Sequence, residues 1–324
     1  MRIQLIAAGI AIMAVMSCLY SPTRNNPLDP NAVNFPGYAD GAHWTLASPL
    51  ADFQGRGGQT AVVFNSRMWI IAGVTAGFTN DVWSSADGTV WKLEKDVAAF
   101  RGRNGHASLV YNGKMWVIGG SEPNNTNDVW SSTDGRTWIR ATSTAFAGRR
   151  EFGSAVFMNR MYVIGGQLTG FKTNDVLYST DGITWAAATG NAGFALRSQH
   201  SSVVFNNKLW VIGGSDSGGM FTNDIWSSTD GISWNYSTSA PFAGRGNCSA
   251  IVYNNRMWVI GGECTGSVYT NDVWYSSDGI VWAAATTRAS FPGRTQASAV
   301  VFRSTMWVMA GSSTNDVWLA SYPK

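Results

Sequence analysis

Apolar residues in this chain fall in short, nearly unbroken runs that come back at a fixed spacing. Ala250–Tyr253 and Met257–Ile260 are two such runs, with Asn254-Asn255 between them. Earlier in the chain the same place is held by Asn112-Gly113, a pair suited to a tight hairpin turn because both central residues need positive φ. Two apolar runs joined this way predict a hairpin of inner strands, apolar on both faces because neighbouring units cover each face. A third run, Asp272–Ser276, and a fourth beginning near Trp282 are less apolar and are expected further out, with Asp278-Gly279 turning the chain between them.

The glycine closing each MWVIGG-like stretch recurs at Gly73, Gly120, Gly166, Gly214, Gly262 and Gly311, at intervals of 47, 46, 48, 48 and 49 residues. Each unit reads as a four-stranded antiparallel sheet that cannot bury both faces alone. The expected fold class is therefore all-β, a six-bladed β-propeller of four-stranded antiparallel blades. Asp-Gly-x-x-Trp follows each of the first five units, from Asp87–Trp91 to Asp278–Trp282, and is missing after the sixth. Its spare copy is Asp40–Trp44, ahead of the first unit. The N-terminal strand is thus expected to complete the last blade, whose other strands come from about Ala297 to Ser321, leaving no open edge in the ring.

An arginine, an apolar hairpin ending Gly-Gly, then Asn-Asp-Val-Trp and Asp-Gly-x-x-Trp together resemble the kelch-repeat family of β-propellers, over about residues 39–321. The resemblance implies a rigid ring whose loops carry binding. It also admits enzymes, since kelch relatives include galactose oxidase and a sialic-acid mutarotase.

All sixteen tryptophans occupy three repeat positions, for example Trp258, Trp274 and Trp282 in the fifth unit, so they are expected to pack between units rather than stack on a sugar. The acids recur too. Asp81, Asp128, Asp175, Asp224, Asp272 and Asp316 follow Thr-Asn, and others belong to the Asp-Gly turns, so all are expected to bond nearby backbone N–H groups.

One repeated polar position is a candidate for binding. Arg56, Arg103, Arg149, Arg197, Arg245 and Arg294 stand where the chain turns in toward the axis, so all six approach one mouth of the channel, on the face where the variable loops after Gly-Gly open. Each arginine either pairs with a repeated Asp or with loop carbonyls, or presents a free head to an anionic ligand. Repetition in all six units favours the first. The positions just beyond vary, with Glu151, Gln199 and Asn247 two residues on and His106, His200 and Cys248 three on. An asymmetric ligand site would be built from these.

Candidate catalytic groups near the mouth are Glu151, His106 and His200, with Glu122 and Glu263 on the variable loops. No set of them stands as a committed catalytic centre, and the histidines also fit as hydrogen-bonded strand-start residues. With three histidines and three cysteines, a galactose-oxidase-like copper site is not expected, and neither a metal nor any other cofactor is called for. Mutarotase-like chemistry needs only polar acid/base groups over a sugar and stays open. Hairpin register sets Cys264 three residues past the partner of Cys248, so a disulfide between them requires the loop to fold back.

The ends differ from the middle. Met1–Cys18 has one positive residue, an apolar run from Ile3 to Met16, and Val15-Met16-Ser17-Cys18, which resembles the lipobox of bacterial lipoproteins. This implies a signal peptide over residues 1–17, a lipidated Cys18, and a proline-rich flexible tether over residues 18–38 ahead of a propeller at 39–324. The net charge of +3 is spread along the chain with no Lys/Arg run, which excludes nucleic acid as an expected partner. The sequence therefore predicts a monomer in the bacterial cell envelope that touches the membrane through its lipid anchor only and binds a protein or a glycan. A carbohydrate-active enzyme and a structural scaffold are the alternatives.

Overall fold

The computed structural model describes residues 41–321. The signal, lipidation and tether expectations, Cys18 included, lie outside the described residues.

The fifth unit shows how the sequence makes its sheet. Ser249–Tyr253 pairs antiparallel with Arg256–Cys264 through the turn at Asn254 and Asn255, whose φ values are 48° and 53°. Arg256–Cys264 pairs next with Val268–Ser276, and that strand with Ala283–Thr286. In the second strand Met257 to Gly262 are all buried. The innermost strand departs from the expectation of burial on both faces, because half-buried positions such as Ser249 and Ala250 line an open channel.

The described strands form five antiparallel sheets: three of four strands, one of five and one of nine. The nine-stranded sheet holds the third and fourth units, stitched together by the two-residue strand Arg197–Ser198, which pairs with Thr173 on one side and with Ser215 and Asp216 on the other. The innermost strand of every unit lies against those of the units before and after it, and Ser298–Phe302 of the sixth returns to Thr60–Phe64 of the first. The fold is an all-β propeller of small antiparallel sheets. Trp44–Ser48 pairs with Val317–Ala320, so the first strand of the chain completes the last unit's sheet as the sequence predicted.

The tryptophans fill three structural roles. The second-strand ring presses on the Asp-Gly turn of the following unit. A Cβ on Gly279 would lie 2.1 Å from the Trp210 ring, and Gly279 has φ +80°, so two requirements coincide on one glycine. The fourth-strand ring meets a phenylalanine edge to face, as in Phe100–Trp138 at 5.1 Å and 86°. The third-strand ring donates from Nε1 to the Asp two residues before it, as in Trp130 to Asp128 at 2.6 Å.

Because strands alternate in direction, the Asn turns and Asp-Gly turns share one end of the ring. The arginines and the loops after Gly-Gly share the other. Both ends of the described chain leave on the Asp-Gly side, where Thr45 donates its hydroxyl to that of Ser321 at 2.8 Å.

Candidate functional site

At the opposite mouth all six arginines are held inside the scaffold. Arg103 is fully buried, and the other five are 1% or 2% exposed. The Arg103 guanidinium donates Nη1 to Asp128 Oδ1 at 2.8 Å and Nη2 to Asp128 Oδ2 at 3.0 Å, gives a further bond to the Gly119 carbonyl at 2.8 Å, and lies 5.5 Å over the Phe100 ring. The same set recurs at Arg56–Asp81, Arg149–Asp175, Arg197–Asp224, Arg245–Asp272 and Arg294–Asp316. These arginines therefore brace the ring, and none offers a free head to a ligand. Pairing with a repeated Asp, the reading that repetition favoured, is thus the one found, whereas the expectation that the Thr-Asn-Asp carboxylates bond nearby backbone N–H groups is corrected. They serve Arg and Trp, except that Leu177 stands in the Trp position beside Asp175, while the preceding Asn spans the loop, as in Asn271 Nδ2 to the Ala289 and Phe291 carbonyls at 2.9 and 3.0 Å. Burial pushes the Asp128 carboxyl up, and the hydrogen bonds and charge of Arg103 overcome that and hold it below the usual range.

The Asp-Gly carboxylates do bond backbone N–H groups as expected, for example Asp134 Oδ1 accepting from Arg136 and Thr137 at 2.8 and 2.7 Å. The phenylalanine three residues before each arginine was missed in the sequence, although its fixed spacing, from Phe53 to Phe291, was there to be read.

Two residues past each arginine the chain adopts a left-handed conformation in every unit: Gly58, Gly105, Glu151, Gln199, Asn247 and Gln296 have φ between 52° and 64°. Their backbones hand hydrogen bonds from unit to unit. Glu151 N–H donates to Gly105 O at 2.7 Å, Gln199 to Glu151 and Asn247 to Gln199 at 2.8 Å, and Gln296 to Asn247 at 3.1 Å. This belt rims the channel. One arc of it carries the side chains of Glu151, Gln199, Asn247 and Gln296, and the rest is glycine, so the mouth is asymmetric as the sequence implied.

The next residue of each unit lines the channel wall: Gln59, His106, Phe152, His200, Cys248 and Ala297. Each sits against the second glycine of its own unit. A Cβ on Gly262 would lie 2.7 Å from that of Cys248, so glycine is required there. His106 Nε2 meets the Thr60 hydroxyl at 2.9 Å, and His200 Nε2 accepts from Gly153 N–H at 3.1 Å. Burial, reinforced by Arg103 and Arg197, drives both imidazoles down to about 3, so they stay neutral at physiological pH and are not general acids there. Glu151 is different. Burial raises its carboxyl, against the opposing pull of Arg150, whose Nε lies 3.7 Å away, and of a hydrogen bond with Gln199.

Cys248 and Cys264 are free thiols, both buried. Cys264 pairs across the sheet with Arg245 instead, and Cys248 lies against Gly262 and the Ser201 hydroxyl, so the loop does not fold back to bridge them. Among the described residues no cluster of three potential metal ligands occurs. With the six arginines neutralised, the charges left around the mouth are mixed: Glu122, Glu151, Asp216 and Glu263 stand with Arg101, Arg150 and Lys172.

The variable loops around this mouth expose large apolar side chains. Phe171 is 61% exposed, Met220 57% and Tyr269 45%, with Phe78 and Val268 exposed beside them. The loops are held by the neighbouring arginine segments. Bridges link Gly57 to Val74, Asn104 to Ser121 and Arg150 to Gln167, and Lys172 Nζ donates to the Ser215 hydroxyl and the Asp216 carbonyl in the next unit's loop.

A fold of this kind, with this mouth, belongs to a known class of repeat propeller. The model of the KLHDC2/KLHL20/DRC7 Kelch-repeats domain matches residues 155–322, more than half of the chain. The chain belongs to the kelch-repeat family. No curated protein matches it.

Proposed function

We propose that the six units close into a six-bladed ring, counting the nine-stranded sheet as two blades joined at Arg197–Ser198, and that this ring is a protein-binding module. The observation that carries the reading is the set of apolar side chains, Phe78, Phe171, Met220, Val268 and Tyr269, standing exposed on variable loops around a polar, asymmetric mouth. Apolar anchors around a hydrogen-bonding centre suit a partner that offers both side chains and backbone. The arginine pairing withdraws the support for a specifically acidic ligand. Glu151, with its raised carboxyl, is the group that supports the second reading, a carbohydrate-active site at the same mouth.

The pattern Val15-Met16-Ser17-Cys18 supports export and a lipid anchor at Cys18 in a bacterial envelope. Cys18→Ala is then expected to abolish incorporation of labelled palmitate, and persistent labelling refutes the anchor. The binding reading is tested on a combined peptide and glycan array scored for binding and for product. Peptide binding weakened at least tenfold by Phe171→Ser with Tyr269→Ser supports it. Turnover of a sugar, lost in Glu151→Gln, establishes the second reading in its place.

A further inference from the structure

The end of the ring away from the mouth carries its own surface. There the residue after Asp-Gly in the third, fourth and fifth units is Ile183, Ile232 and Ile280. Val281 follows the last, and Met158 occupies the third unit's hairpin turn. These five side chains are 54% to 70% exposed. The repeat does not need them apolar, since Thr89 and Arg136 hold the same place in the first two units.

Basic residues stand on the same side. Lys114, Arg160, Lys208 and Arg256 each open a second strand directly after a hairpin turn. Their charged heads lie over aromatic rings on this end, with the Arg160 guanidinium 4.5 Å over Tyr178 and that of Arg256 4.5 Å over Tyr275. None of the four has a carboxylate within ion-pair distance among the described residues. The carboxylates of the neighbouring Asp-Gly turns bend back onto their own turns, as Asp278 does in accepting from Ile280 and Val281 N–H at 2.8 and 2.9 Å.

The chain outside the described structure points to the occupant. It enters at Gly41, packed on Trp258 of the fifth unit beside this apolar arc, and it is preceded by 40 residues that include the apolar run Ile3–Met16 and Cys18. We propose that this face docks on an anionic phospholipid bilayer, with the isoleucine arc entering the interfacial layer and the basic heads lying at the headgroups. The proposal rests on membrane attachment through the N-terminal segment and goes beyond it. A tether alone leaves the ring free to tumble, whereas the docked face fixes the mouth pointing away from the membrane.

The test uses the full chain on vesicles of phosphatidylethanolamine and phosphatidylglycerol, with a polarity-sensitive fluorophore on Ile232→Cys, Ile280→Cys or, at the mouth, Phe171→Cys. Cys248 and Cys264 are buried and escape labelling in the native fold. The expected result is blue-shifted emission and at least twofold quenching by nitroxide-bearing lipid at positions 232 and 280, with water-like emission at 171. Water-like emission at all three positions, or equal quenching at all three, overturns the proposal. Palmitate incorporation reads the anchor separately. If the chain takes up none, the same reporters are read on the unlipidated chain carrying Cys18→Ser, so that the introduced thiol alone is labelled, sedimented with the vesicles, and the same two outcomes decide.

Discussion

Arg103 and Asp128 meet through two parallel hydrogen bonds of 2.8 and 3.0 Å, with the arginine wholly out of water and the aspartate side chain 21% exposed. Such a pair is a brace between the segment leading into the strand Ala107–Tyr111 and the middle of the strand Asn124–Ser132, 25 residues on. Arg103→Ala strands a carboxylate that keeps some water. The expected cost is the lower end of the roughly 3–5 kcal/mol seen when a buried pair loses one partner. Urea unfolding checks it, and Asp128→Ala added to Arg103→Ala should recover part of the loss. Salt at about 0.5 M should not mimic the substitution, because a buried pair is poorly screened. Unchanged stability in Arg103→Ala would remove the brace from the account.

Gly279 and Gly190 form a matched pair for substitution. At Gly279 alanine meets both a left-handed backbone and the Trp210 ring, and the two costs together come to about 2–4 kcal/mol. At Gly190 nothing lies within 4 Å of the added carbon, and Ala should be neutral to within about 0.5 kcal/mol. Equal melting temperatures for the two variants would contradict the tight turn-on-tryptophan contact.

His106 and His200 set a pH dependence. Both have folded values near 3 against an ordinary 6.5, so below 6.5 the unfolded chain binds protons that the folded chain refuses. Their contribution is fully present above pH 6.5 and is lost as pH falls toward 3, with a limiting slope on the order of 1 kcal/mol per pH unit for each histidine. Denaturant unfolding between pH 7 and 4.5 should show this slope, and His106→Gln with His200→Gln should flatten it. A slope unaffected by the two substitutions would place the titration elsewhere.

Deleting residues 39–50 removes the strand that Val317–Ala320 pairs with. The exposed edge should lower the melting temperature of the whole ring in one cooperative transition and promote association through the open edge. Scanning calorimetry with light scattering reads both effects. An intact, monomeric transition at the original temperature refutes closure by the N-terminal strand.

The phase of the repeat, the Asn hairpins and the transfer of Trp44–Ser48 to the last sheet were legible because they rest on spacing and turn chemistry. What escaped was side-chain direction at places where the strand is irregular. The register shifts between Ile118 and Gly120, and likewise in other units: Ile118 pairs with Val129 and Gly120 with Thr126, so alternation counted from the apolar run fails at Asn127 and Asp128, which fall in the irregularity. That shift turns Asp128 toward Arg103 rather than toward its own turn. The left-handed backbone at Glu151, Gln199 and Gln296 was hidden for a similar reason. Only Gly58 and Gly105 at the equivalent positions hinted that this place needs positive φ. The channel-mouth residues themselves were found, because they sit at a constant distance from the arginines. The exposed apolar loop residues were not, since a lone Phe171 or Met220 in a variable segment carries no periodic signal.

The contact between Trp44 and Ala320 joins residues 276 apart, at the seam where the first and last units of the ring also meet through Thr60–Phe64 and Ser298–Phe302. During synthesis the first strand emerges with no partner, and it stays unpaired until Val317–Ala320 has been made. Every inner sheet can assemble in the order in which it is translated, but the seam cannot. The closing step is thus the slowest loop to search and the one that commits all the others.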